Sequence, residues 1–503
     1  MNTITSTTID AALADEARVG AASDLQVLTI NTANLGDRSY IAAVDGLAVV
    51  IDPQRDIDRV LALVDEHQLR IALVVETHIH NDYVTGGLEL ARVAGAPYVV
   101  PGGDTVAYDR LPAHDGSVFL ADSTNGQRFA VRSVHTPGHT PHHMSYVAMV
   151  DGQDLAVFTG GSMLHGSVGR PDLLGADHTQ QLAHDQWRSV RRLATELDGT
   201  VDVLPTHGFG SFCSATATTA TSSTVADQRL SNPALTLGES AFVEQMLAGL
   251  DAFPAYYAHM GPANAAGPAA IDLSLPQRAD SAELRRRLDA GEWVIDLRSR
   301  EVFARGHLQG TLSFDDDGNA ITYLGWLIPW GTPLTLLAAT PEDVTAFQRE
   351  LVRIGIDRPA AFATGSPQEW AGDQALASFE RMDFKGLTQQ MAKDHNLLVI
   401  DARRRTEWLD GHVAGARHLP LHELPARVDE VVTMSRDAEA AGRDPVVRIY
   451  CGSGFRAAVA ASLLERAGVP VVQVDEDFDK AATSGASIVH EHVETHFGTA
   501  VTA

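Results

Sequence analysis

The chain has 503 residues, too many for one hydrophobic core, and its length points to roughly three or four folding units. Hydrophobic residues make up 45% of it and charged residues 20%, the balance of an ordinary globular protein. With 38 Lys and Arg against 65 Asp and Glu the formal charge is -27, which argues against nucleic-acid phosphate or an anionic membrane surface as partners, so any anionic substrate needs local donors. The two cysteines, Cys213 and Cys451, lie far apart and without CxxC spacing, so neither a disulfide framework nor a zinc knuckle is expected. A reducing compartment follows. Residues 1–24 are read as an N-terminal extension; they carry acidic residues and no basic-then-apolar pattern of a secretory signal. No apolar run approaches the roughly 18 residues of a membrane span. A cytoplasmic location is therefore expected.

From Gln26 to Pro53 the pattern predicts strand, turn and strand, with Asp45-Gly46 as a hairpin turn. The helical segment IDRVLALVDEHQ and the apolar run IALVVET follow, and this alternation predicts a layered α/β domain over residues 25–270. Within it, SATATTATSSTVADQRLSNPAL after residue 213 reads as an irregular connector, and GPANAAGPAA from Gly261 reads as a linker. Beyond the linker two segments repeat one pattern. WVIDLRSREVFARGHLQG and LVIDARRRTEWLDGHVAG each run from an apolar strand through Asp-x-Arg to Gly-His-x-x-Gly. Two homologous α/β domains, residues 275–380 and 383–490, are expected.

Three turns in the first domain carry histidine after a predicted strand. The first runs Thr77, His78, Ile79, His80, Asn81, Asp82, Tyr83; the second holds Pro137, Gly138 and His139; the third holds Thr206, His207 and Gly208. Turns at strand ends converge such side chains on one metal. In order and spacing these turns, with Thr159 to Gly161 between the second and third, resemble the metallo-β-lactamase superfamily, whose signature is THxHxDH, PGH, TGD and a late GH. The resemblance implies an αββα sandwich. Val168 to Leu173 and Asn232 to Leu235 resemble the persulfide dioxygenases fused to rhodaneses, which implies oxidation of a thiol persulfide by O2 at a mononuclear metal.

Two departures stand out. Tyr83 replaces the last histidine of the first turn, which argues against a dinuclear hydrolase, and Gly161 replaces the aspartate that is the family's carboxylate ligand. His78, His80 and His139 are therefore expected to hold one divalent metal, Fe(II) ahead of Zn(II), with Asp82, Tyr83, Arg170 and His207 around it or lining the substrate pocket. On this reading His80 is indispensable and Gly161→Asp rebuilds the missing carboxylate. His142, His143 and His165 are further histidines in reach, and Cys213 is assigned no role.

In the last domain the strand from Val446 to Tyr450 leads into Cys451, Gly452, Ser453, Gly454, Phe455 and Arg456 and then a good helix. A cysteine feeding a helix N-terminus meets converging N–H groups and the positive end of the dipole, which suit an anionic sulfur, and Arg456 adds charge. This loop, with Asp401, Arg403, Glu407, Gly411, His412 and Gly415 upstream, resembles the rhodanese family. It implies Cys451 as the sulfur-accepting nucleophile, against a C-x5-R phosphatase whose loop is one residue longer. The first repeat keeps Asp296, Arg298, Gly306 and His307, but PLTLLAATPEDV holds no cysteine and is expected to be inactive.

The expected function is oxidation of a small, glutathione-like thiol persulfide coupled to rhodanese sulfur transfer, with homo-oligomerisation left open. The alternatives are a zinc thioester hydrolase of the glyoxalase II type and a metal-free scaffold or sensor attached to one working sulfurtransferase.

Overall fold

The computed structural model describes residues 14–18, 25–122, 128–216, 220–315 and 318–491. They form two compact units, one running to Asp272 and including Arg349–Asp357, the other made of Leu273–Gln348 and the chain from Arg358.

Two sheets face each other in the first unit. The larger has seven strands in sequence order, antiparallel through Leu47–Ile51 and parallel from there to Arg70–Val75, Tyr98–Pro101 and Leu111–Ala113. The smaller runs Asp202–Pro205, Gln153–Gly160, Met144–Val150, Arg128–His135, Val118–Asp122. Period-two alternation decides which side chains meet between them. Tyr40, Ala42 and Val44 join Phe129, Val131, Tyr146 and Phe158 in the central core, while Ile41 and Ala43 face outward onto the helix Asp58–Glu66 side. Val147 and Val157 of the smaller sheet face outward onto the helix Ala176–Glu196. Helix, sheet, sheet, helix is the αββα sandwich that the sequence implies.

Two segments read as irregular are helical. Thr224 and Asp227 form a capping box, each accepting from the other's backbone N–H, and this starts the helix Val225–Ser231 inside the supposed connector. Three residues of that stretch, 217–219, lie outside the described residues. The supposed linker from Gly261 lies largely within the helix Tyr257–Ala266, which tolerates Pro262 and buries Asn264. Local propensity lost there to tertiary hydrogen bonds: the Asn264 amide accepts from Thr85 N at 2.9 Å and donates to the carbonyls of His80 and Tyr83 at 2.8 Å each.

In the second unit two parallel sheets share one strand order. The first is Gln277–Arg278, Ala361–Thr364, Leu334–Ala338, Trp293–Asp296, Leu312–Ser313, and the second is Glu380–Met382, Val471–Val474, Val447–Tyr450, Leu398–Asp401, Arg417–His418. The repeated Asp-x-Arg makes the same bonds in both. Arg298 and Arg403 each return to their aspartate through backbone N–H and guanidinium, then donate to the carbonyls of Gly306 and Gly411. His307 stacks on Phe303 as His412 stacks on Trp408. Among the described residues no helix is long and apolar enough to cross a membrane.

Candidate metal centre and cysteine loop

The histidine turns all leave strand C-terminal ends of the sandwich: His78 follows Arg70–Val75, His139 follows Arg128–His135, and His207 follows Asp202–Pro205. Their ligand nitrogens lie within 4.8 Å of one another, and all three side chains are buried. Hydrogen bonds fix the tautomer of each ring. His78 Nδ1 is 2.8 Å from Thr77 Oγ1, which already donates its own proton to Asp52, so the imidazole is the donor. His139 Nδ1 donates to the carbonyl of Arg170 at 2.8 Å, and His207 Nδ1 donates to Asp37 at 2.9 Å with Asp82 at 3.2 Å. Each ring therefore keeps a lone pair on Nε2. His139 Nε2 has no hydrogen-bond partner among the described residues, and the Nε2 atoms of His78 and His207 face each other at 3.4 Å. Two buried acceptors pointing at one another repel, and a cation between them removes the repulsion. Burial holds His139 down to about 3 and lowers His78 and His207 as well, so the lone pairs stay available.

His80 is placed differently from the sequence reading, which grouped it with His78 and His139. Its Nε2 lies 3.0 Å from Tyr83 Oη and 3.3 Å from both Asp52 and Glu76, and His207 takes the third place in the cluster. Burial disfavours a charged ring here, but the two carboxylates override it and push His80 up to about 10. His80 also falls into two alternative triads with metal-like spacing, one with Asp82 and His207 and one with Asp52 and Glu76; its Nε2 is engaged by Tyr83 and the two carboxylates, and its Nδ1 has no hydrogen-bond partner among the described residues.

Behind His207 two buried carboxylates meet. Burial and the charge of Asp82 push Asp37 well up, while His207 and His80 hold Asp82 down against its own burial. Tyr83 stacks on His80 and donates to the carbonyl of Asp52. Arg170 points its guanidinium at Asp172 and at the carbonyls of Phe212 and Asp251, leaving its own carbonyl to orient His139. His143 accepts from Gly161 N at 3.0 Å, and His165 is engaged with the carbonyl of Val203.

Gly161 is closed to a side chain in this arrangement. A Cβ there would overlap the His139 ring, so an aspartate at 161 cannot enter while His139 keeps its place. The expectation that Gly161→Asp rebuilds the site is corrected on that ground.

In the last domain Cys451 is buried at the end of Val447–Tyr450, and Gly454 N donates to its Sγ at 3.1 Å. Gly454 has φ +100°, and a Cβ would overlap the carboxylate of Asp475. Arg456 is held by two bonds of 2.6 and 2.7 Å to Glu407. Burial works against the Glu407 carboxylate, but Arg456 and then Arg404 override it and bring it down to about 2.

Comparison with known proteins fits both halves. Residues 37–207 match the description "Metallo-beta-lactamase superfamily" and residues 385–482 match "Rhodanese-like domain". The mitochondrial persulfide dioxygenase ETHE1 of Homo sapiens is 31% identical over 244 residues, 48% of this chain and 80% of that protein. The chain belongs to the persulfide dioxygenase family. Within the metallo-β-lactamase superfamily it is also 35% identical over 127 residues to the cytoplasmic hydroxyacylglutathione hydrolase of Arabidopsis thaliana, 25% of this chain and 47% of that one. A Staphylococcus aureus metallo-β-lactamase crystal structure aligns with TM-score 0.61 at 24% identity, covering 68% of this chain and all of that one, which shows a shared fold. Membership in the persulfide dioxygenase family makes this chain an enzyme and implies a divalent metal site, and the histidine cluster has the donor set to hold one.

Sequence reasoning missed Asp37, Asp52, Glu76 and Asn264, which orient or neutralise the histidine turns. None sits in a motif of its own; each acts through a contact more than 20 positions away or with a neighbouring turn.

Proposed function

We propose that the N-terminal domain oxidises a low-molecular-weight thiol persulfide of the glutathione type with O2, and that the last domain passes sulfane sulfur through Cys451. The observation that carries the first half is the wiring of His78, His139 and His207, with every Nδ1 committed to an oxygen and the Nε2 lone pairs converging. Those three residues would hold the metal, Fe(II) ahead of Zn(II). Iron there would supply the one-electron chemistry that lets dioxygen react with a sulfur anion. The net change is R–S–SH + O2 + H2O → R–SH + SO3²⁻ + 2H⁺: the S–S bond breaks, the outer sulfur gives four electrons to O2, and the thiol leaves protonated. Thr77, the Arg170 carbonyl and the Asp37–Asp82 pair hold the three rings in place, and the His80 Nε2 bridges Asp52 and Glu76 behind them.

At the second site the Cys451 sulfur attacks the outer sulfur of a persulfide or thiosulfate. The S–S bond breaks, the thiolate or sulfite leaves, and the new persulfide anion is received by the Gly454 N–H beside the charge of Arg456. The likeness to hydroxyacylglutathione hydrolase supports a second reading, zinc-dependent thioester hydrolysis. Against it, Tyr83 offers no imidazole for a second metal.

Elemental analysis with oxygen-uptake assays tests the set. About one metal per chain is expected, lost in His139→Ala and in His207→Ala, and not raised by Gly161→Asp in the otherwise native chain. His80→Ala should keep the metal while losing on the order of 3 kcal/mol of stability, because two buried carboxylates lose their counter-charge. Uptake of O2 with glutathione persulfide should follow iron content. No metal after anaerobic reconstitution with iron would favour the scaffold or sensor reading, and thioester hydrolysis without O2 uptake would favour the hydrolase.

A further inference from the structure

The catalytic loop is held at three successive carbonyls, and two of the three holds come from its own domain. The Gly452 carbonyl accepts from Phe478 N at 2.8 Å, and the Gly454 carbonyl accepts from Gln473 Nε2 at 3.2 Å and from Ala458 N at 3.0 Å. The carbonyl between them, on Ser453, accepts from Arg300 Nη2 at 3.3 Å. Arg300 belongs to the cysteine-free repeat, at the start of the helix Arg300–Arg305.

The Ser453 carbonyl and the Gly454 N–H are the two ends of one planar peptide unit. The N–H end donates to Cys451 Sγ at 3.1 Å. A guanidinium on the oxygen end fixes the plane of that peptide, and its charge strengthens the N–H as a donor, because hydrogen bonds in series polarise one another. Arg300 is itself fixed, with Nε on Asp475 at 2.9 Å and Nη1 on Asp315 at 3.0 Å. Asp475 also pairs with Arg381, which reaches Glu301 at 3.6 Å.

We propose that Arg300, supplied by the repeat that has no cysteine, is a positioning residue for sulfur transfer: it holds the Ser453–Gly454 peptide so that its N–H points at the sulfur of Cys451. The inference rests on the reading of Cys451 as the transfer nucleophile. It assigns the silent repeat a part in the reaction beyond packing.

The test compares Arg300→Met, Arg300→Lys and Arg381→Met in the full-length chain, with Cys451→Ser as reference. Arg381→Met cuts an ion pair to the same aspartate without touching the Ser453 peptide. Three quantities are read: kcat and KM for thiosulfate-to-cyanide transfer, the iodoacetamide labelling rate of the Cys451 peptide by mass spectrometry, and the melting temperature. Losing one oriented donor of an oxyanion-type site costs about a hundredfold or more. Here the donor is loosened rather than removed, so about a tenfold fall in kcat with KM little changed is the expected effect of Arg300→Met. Labelling of Cys451 should slow severalfold, and Arg300→Lys should restore part of both. Arg381→Met should keep the native rates even if its melting temperature falls as far. Native kcat and labelling in Arg300→Met would overturn the proposal, as would equal losses in Arg381→Met, which would make Arg300 a clasp and nothing more. If Arg300→Met does not fold, Arg300→Lys alone decides: unchanged kcat and labelling would again overturn it. Transfer that persists in Cys451→Ser would instead remove the nucleophile assignment, while the labelling rates would still report on the loop.

Discussion

In the first repeat the strand Leu334–Ala338 places Leu337 beside Asp296; in the second, Val447–Tyr450 places Tyr450 beside Asp401. By that register Ala338 stands where the other repeat has Cys451. The following helix starts at Pro341, which has no N–H, and Thr340 and Asp343 exchange side-chain bonds with each other's backbone N–H at 2.9 and 3.2 Å. In the second repeat the helix Phe455–Arg466 starts from Gly454, which has no side-chain cap among the described residues. Its N–H goes to the sulfur instead. A helix N-terminus closed by its own side chains adds stability, whereas one left open keeps donors for an anion. The two repeats thus share a scaffold and differ in how a single turn is capped.

The comparison breaks most directly at the sulfur. Cys451→Ser should lower sulfur transfer to cyanide about a thousandfold or more, as removal of a nucleophile does, while Cys213→Ser should stay near native. Comparable activity in the two variants would mean that the open turn is not the site.

Denaturant unfolding sharpens the shared half of the comparison. Arg298→Met and Arg403→Met each strand a fully buried aspartate, so each should cost on the order of 3 kcal/mol. A large loss in one and none in the other would show that the repeated motif does not do the same work twice.

A smaller effect is expected at Glu407. Its carboxylate sits at about 2 in the folded chain against an unfolded value near 4.3, so it contributes stability above pH 4.3 that is lost as the pH falls through 2. With partial exposure discounted, this is on the order of 2 kcal/mol at neutral pH. Glu407→Gln should therefore melt lower than the native chain at pH 6, with the gap closing as pH approaches 2. A gap independent of pH would rule out the ion pair as its source. Because Arg456 loses its anchor, transfer should also fall about tenfold.

The smallest expected effect is none. Ala338→Cys in a Cys451→Ser background installs a thiol at the matching register but faces a closed helix end, so transfer should remain at background. Any measurable turnover would show that capping is not what separates the two repeats.

The Cys451 loop was legible because all its parts lie within six consecutive residues and the helix they start follows at once. The histidine turns were legible for the same reason, since each announces itself as His beside Pro, Gly or Thr after an apolar strand. The partners of those turns were not. Asn264 lies in a stretch of Gly, Ala and Pro that reads as a linker, yet it closes the turn carrying His80 and Tyr83. Arg300 reads as one more charged residue at a helix start, and only the approach of the Ser453 carbonyl gives it a role.

The sequence by itself determined a layered α/β first domain and two repeated α/β domains, because strand periodicity is a local property of the chain, and its short motifs carried the resemblance that implies the αββα sandwich and marks Cys451 as the candidate nucleophile. Only the tertiary structure decided which nitrogens converge. His78 and His80 leave the same strand two residues apart, and nothing in that spacing says which will face the cluster. Asp52 and Glu76 turn His80 into a buried counter-charge, while Asp37, the Arg170 carbonyl and Thr77 set three other rings with their lone pairs toward one point. In a buried site the tautomer of an imidazole is set by the acceptor behind it, and those acceptors come from distant parts of the chain.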